Sequence, residues 1–98
     1  MTITKTQNAA ELNITLEGRL DTTTAPQLEA EIKESLDGVE TLAFDFEKLE
    51  YISSAGLRVL LSAQKVMNKQ GTLVVKNVCE EIKEVFNITG FSDILTIE

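Results

Sequence analysis

The apolar pattern changes period once, abruptly, in the middle of the chain, and that change limits what can be built around it. Leu42-Ala43-Phe44-Asp45-Phe46 reads as a buried strand. From Ser54, the residues Leu57, Leu60, Leu61, Gln64 and Met67 mark a helical face, and Val59, Ala63 and Val66 add a second, as far as Gly71. A strand feeding a well-buried helix is half of a β-α-β unit, so strands and helices must be stacked in layers. The junction Tyr51-Ile52-Ser53-Ser54-Ala55-Gly56-Leu57 sets two serines at a helix start. There hydroxyls cap backbone N–H groups and a negative charge is tolerated.

The flanking segments repeat the alternation. Thr2–Thr6 and the Leu12, Ile14, Leu16 alternation predict an N-terminal hairpin with its turn at Gln7-Asn8, closed by Gly18-Arg19-Leu20-Asp21. Asp21-Thr22-Thr23-Thr24 supplies caps and Pro26 suits a first helical turn. Ala25, Leu28, Ile32 and Leu36 then form one apolar face, stopped at Asp37-Gly38. Glu47-Lys48-Leu49-Glu50 reads as a loop after the central strand. Beyond Gly71, Thr72–Val75 is a short strand, and Cys79, Ile82, Val85 and Phe86 share a face of a third helix ending near Gly90. Phe91 to Ile97 forms a last turn and an edge strand. The predicted order is β-β-α-β-α-β-α-β in a single domain, 1–98. The sheet is mixed, with helices packed mainly on one face.

Composition removes several classes of function. The chain of 98 residues carries no histidine, which excludes Ser-His-Asp and Cys-His nucleophile pairs and every histidine-containing metal site. A net charge of −7 argues against a phosphate-backbone binder and favours a basic protein partner over nucleic acid or an anionic membrane. No apolar run approaches the ~20 residues that span a bilayer. The segment Met1–Lys5 lacks the apolar stretch of a signal peptide. One cysteine, Cys79, excludes an internal disulfide and fits a reducing compartment, so the cytoplasm is expected; its simplest role is as a small core residue.

Three polar positions stand out. Ser54, with Ser53 beside it, either caps the helix or is a contact point controlled by phosphate, since phosphorylation adds about −1.5 to −2 charges where the helix dipole accepts them. It is not a nucleophile elbow, because Ile52 stands where a glycine is needed and there is no histidine base. Asp21 either shapes its turn or forms an acidic rim beside Ser54 on the same sheet edge. Asp45 lies in the apolar strand but lacks the acidic pair and lysine of a phosphate-accepting receiver site. No enzymatic activity is expected.

Taken together these residues resemble the STAS domain family, specifically the small stand-alone anti-sigma-factor antagonists of bacteria. Glu17-Gly18-Arg19-Leu20-Asp21 with Ala25-Pro26 is similar to the family's strand, acidic loop residue and first helix. Phe44-Asp45-Phe46 followed by Tyr51-Ile52-Ser53-Ser54-Ala55-Gly56-Leu57 is similar to its signature, and Ile82–Leu95, with Thr89-Gly90-Phe91, to its closing helix and strand. The usual aspartate before the serine is Ser53 here, and Ala55 supplies no second hydroxyl. The resemblance implies Ser54 as phosphoacceptor, ahead of Ser53, and Asp21, Thr22, Ser53, Ser54, Ala55, Gly56 and Arg58 as partner contacts. It implies an anti-sigma factor that is a serine kinase, an opposing phosphatase, no cofactor and no metal. The chain is read as a monomer. Two other uses of the domain are carried as alternatives: an accessory subunit of a membrane transport complex, and a nucleotide- or anion-sensing module.

Overall fold

The computed structural model describes residues 1–98. Its elements are β1 (Thr2–Asn8), β2 (Glu11–Leu20), α1 (Ala25–Ser35), β3 (Thr41–Ile52), α2 (Ser54–Met67), β4 (Thr72–Lys76), α3 (Glu80–Thr89), a 3-10 turn at Phe91–Asp93 and β5 (Thr96–Ile97). The five strands lie in the sheet in chain order, β1 antiparallel to β2 and every later pair parallel. This is the mixed α/β arrangement that the pattern predicts.

Parallel neighbours need crossovers, and each crossover steps to the next strand in the same direction. Right-handed connections therefore set α1, α2 and α3 on one face. The alternation of side chains agrees. Leu12, Ile14, Leu42, Phe44, Leu73 and Val75 come into register across three strands and are all buried. Their neighbours Asn13, Thr15, Asp45 and Lys76 point to the other, partly solvated face. The apolar core gathers 25 buried residues, with Phe44 and Phe46 tilted against each other at 5.9 Å. Half-buried Cys79 packs against this cluster at the start of α3.

Three boundaries differ from the sequence-based expectation. The first turn is Ala9-Ala10, not Gln7-Asn8, because pairing continues to Asn8↔Glu11 and Ala9 takes the left-handed conformation at φ 54. Strand β2 runs through Gly18 and ends at Leu20, within the Gly18–Asp21 segment expected to close it. Glu47-Lys48-Leu49-Glu50, however, is not a loop but part of β3. Register shifts between Thr15 and Glu17 and between Gly18 and Arg19 let the two strands stay paired as far as Leu20↔Ile52. These irregularities break the period-two signal by which a strand is recognised, although Leu49 remains buried. Finally, α2 stops at Met67, and Asn68–Gly71 is a turn, with the Gly71 N–H donating to the Met67 carbonyl at 2.7 Å.

The extension of β2 and β3 carries the two strands to a common end. There the Ser53 N–H donates to the Leu20 carbonyl at 2.9 Å. The chain therefore leaves the sheet side by side at Asp21 and Ser53, and Ser54 follows as the first residue of α2.

Candidate functional site

The β2–α1 turn is shaped by Asp21. Its Oδ1 accepts the Thr23 N–H (3.0 Å), the Thr23 hydroxyl (2.7 Å) and the Thr24 N–H (3.2 Å). The Thr24 hydroxyl accepts the Asp21 N–H and donates to the Arg19 carbonyl, both at 2.8 Å, locking the turn from the other side. These bonds go to the ionised carboxylate. The Thr23 hydroxyl chiefly, with the two N–H groups, holds the Asp21 carboxyl below its ordinary value of 3.8, against a smaller opposing effect of desolvation.

A group whose pKa is lowered by folding adds stability above its unfolded pKa, and that stability is lost as the pH falls through the folded one. Asp21→Asn is therefore expected to flatten the fall of stability below about pH 4, compared with wild type, in urea unfolding measured from pH 7 to pH 3. Parallel curves for the two chains would show that Asp21 takes no part in acid unfolding.

At the other strand end, Ser53 occupies the N-cap of α2 in extended conformation, yet its hydroxyl makes no capping bond. Its Oγ is buried and has no hydrogen-bond partner within the chain. Ser54, the first residue of α2, is exposed. The two adjacent serines thus differ in access: the Ser53 oxygen is buried, whereas Ser54 is open to solvent.

Gly56 is buried. A Cβ there would lie 2.7 Å from Leu20 Cγ and 2.9 Å from Ile52 Cγ1. The close approach demanded by a glycine in the first turn is therefore made by the ends of β2 and β3, and Gly56 acts by seating the helix against them. Ala55 is half-buried and Arg58 exposed.

Between the N-terminal halves of the two helices runs an open furrow of about 250 Å³. Thr22, Ala25, Pro26 and Glu29 line one wall, and Ala55, Arg58, Val59 and Ser62 the other. A second furrow, of about 300 Å³, lies between the far ends of α1 and α2 around Ile32, Leu36 and Val66, away from the serines. Of the sequence-predicted residues, Asp21, Thr22, Ser54, Ala55 and Arg58 surround one edge of the sheet. Ser53 and Gly56 stand beneath that surface.

Sequence reasoning missed a further pair. Arg19 and Tyr51 are register partners on the ends of β2 and β3, and the Arg19 guanidinium lies 4.2 Å from the centre of the Tyr51 ring. Its Nε is 3.7 Å from Asp21 Oδ2. Tyr51 is 41 % exposed, one of few large apolar surfaces on the molecule. Tyrosine and arginine are the residue types on which protein interfaces concentrate their energy. Only the register shift brings the two side by side, so no spacing rule pointed to them.

No group of three or more histidine, cysteine, aspartate or glutamate side chains in the chain is placed to hold a metal ion. No helix is long and apolar enough to cross a membrane. Asp45, the other carboxylate considered, is tied down structurally: its Oδ1 accepts the Glu47 N–H at 3.0 Å and the Asn77 side-chain amide at 3.1 Å.

The STAS domain pattern matches residues 1–98, and the chain belongs to that family. It is 42 % identical over 84 residues to BtrV, a candidate anti-sigma factor antagonist of Bordetella bronchiseptica, covering 84 % of this chain and 72 % of that one. It is 29 % identical to the anti-sigma-B factor antagonist of Bacillus subtilis, covering 93 % of this chain and 84 % of that one. In fold it is similar to an anti-sigma factor antagonist from Mycobacterium paratuberculosis, with a TM-score of 0.88 at 22 % identity over 98 % of this chain and 83 % of that one. It also resembles the antagonist SpoIIAA in its unphosphorylated form, with a TM-score of 0.79 at 20 % identity over 99 % and 87 % of the two chains.

Proposed function

We propose that this chain is an anti-sigma-factor antagonist whose docking is switched by phosphate on Ser54. The observation that carries the reading is the division between the serines. Ser54 is exposed at the start of α2, on the edge that also presents Asp21, Thr22 and Arg58, whereas the Ser53 oxygen is buried. The names of the relatives support the antagonist role, and SpoIIAA has also been solved in a phosphorylated form. The unphosphorylated surface binds an anti-sigma factor with serine-kinase activity and so frees the sigma factor. The kinase moves the γ-phosphoryl group of ATP to Ser54 Oγ, with ADP leaving and the hydroxyl proton released. A phosphatase returns the serine by hydrolysis, yielding inorganic phosphate. The chain itself performs no catalysis, and the exchange takes place in the cytoplasm. The fold is shared with a sulfate transporter family protein of Wolinella succinogenes, but at 18 % identity, so the accessory-subunit reading has less support than the antagonist one.

Incubation with the cognate anti-sigma kinase and ATP, followed by intact-mass and peptide mass spectrometry, tests this. Wild type is expected to gain one phosphate, on Ser54, and Ser54→Ala none. An unmodified wild type, under conditions where the same kinase modifies another antagonist, would sink the switch.

A further inference from the structure

The chain contains two arginines, Arg19 and Arg58, and both stand at the edge that presents Ser54. Their situations differ. Arg19 is engaged, its flat face on Tyr51 and its Nε toward Asp21. Arg58 is exposed and enters none of the chain's ion pairs, which are Lys5–Glu31, Arg19–Asp21 and Lys33–Glu29. The carboxylate across the furrow, Glu29, lies 3.1 Å from Lys33 and is answered there. Arg58 is also four residues after Ser54 in the same helix, so the two side chains share a face one turn apart, with about 5–6 Å between their Cβ atoms.

We propose that the phosphate on Ser54 is held by Arg58. This rests on the reading of Ser54 as the phosphoacceptor and adds how the modification is read by the chain itself. A guanidinium presents paired N–H donors that match two phosphate oxygens, and a serine phosphate reaches farther along the helix than the hydroxyl it replaces. The first turn of α2 holds no acidic residue to repel it. The neighbouring elements carry further charges: Glu29 across the furrow on α1, Arg19 and Asp21 at the end of β2, and Glu50 within β3. Of the two cations only Arg58 is unpaired. Once drawn onto the phosphate, Arg58 no longer offers a positive charge to the furrow between α1 and α2. Phosphorylation then changes the docking surface twice, by adding an anion and by occupying a cation that the partner meets in the unmodified form.

The test uses the full chain with phosphoserine incorporated at position 54 during synthesis, so no kinase is involved. The phosphate is titrated by 31P NMR in three backgrounds. With Arg58 present, its second pKa is expected below the ordinary value of about 6. Arg58→Gln should raise it by about 0.5–1 unit, and Arg58→Lys should recover part of that difference. Arg19→Gln should leave it in place. Equal titration of the wild-type and Arg58→Gln backgrounds, or an equal rise with Arg19→Gln, would overturn the proposal. Thermal unfolding gives a second readout, since the phosphorylated chain should lose more stability on Arg58→Gln than the unphosphorylated chain does. Because the phosphate is installed rather than transferred, either failure is distinct from failure of a kinase to modify Ser54.

Discussion

A Gly71→Ala chain is expected to unfold about 3 kcal/mol more easily than wild type, one of the larger penalties a single methyl group imposes on a domain of this kind. Gly71 sits in the turn between α2 and β4. A Cβ there would fall 1.8 Å from the carbonyl oxygen of Glu40 and 2.6 Å from its carbon. Both atoms are backbone, and the same carbonyl accepts the Thr72 N–H at 2.9 Å as β4 begins. The chain cannot relieve the overlap by turning a rotamer; it must part the strand ends or unwind the turn. At Gly56 the atoms met are side-chain carbons of Leu20 and Ile52, which yield more readily. Urea unfolding should show a lower midpoint at unchanged slope, and the melting temperature should fall by roughly 10–20 °C. A midpoint within experimental error of wild type would show that the turn has another conformation open to it.

Ser54→Asp is expected to weaken binding to the anti-sigma partner at least about 30-fold, close to 2 kcal/mol, while leaving the fold intact. The two halves of that expectation have separate causes. Ser54 is exposed and opens a helix whose first turn carries no carboxylate, so a negative charge there is neutral or slightly favourable for stability. In the complex the same charge must be stripped of water against a surface shaped for a hydroxyl. Ser54→Ala, which removes the acceptor without adding charge, should bind nearly as wild type. Calorimetric titration of the three chains separates these effects. Equal affinity for Ser54→Asp and wild type would remove Ser54 from the contact.

Much of the architecture was legible from local pattern. The helix faces of α1, α2 and α3 are written at three- and four-residue spacing; Gly38 takes the left-handed conformation expected past α1, at φ 80, and α3 ends at Gly90. The strands were legible while their side chains alternated and lost where the register shifted. Arg19 and Tyr51 were hidden by the same irregularity, because their contact depends on which residues face each other across two strands. Net charge was a poor guide to the site. The chain is acidic overall, yet both of its arginines stand at the one edge where a partner is proposed to dock.

By itself, then, the sequence determined the order of elements and the mixed sheet, and it pointed to the strand-to-helix edge where the site is proposed, because periodicity and turn chemistry act over a few residues. Only the tertiary structure decided that the strands run on to Leu20 and Ile52. It alone turned the Ser53 oxygen inward and left Ser54 outside, and it assigned the tight approach at Gly56 to the chain's own Leu20 and Ile52. Those outcomes depend on atoms brought together across the fold, and neither of two adjacent serines carries that information in its own neighbourhood.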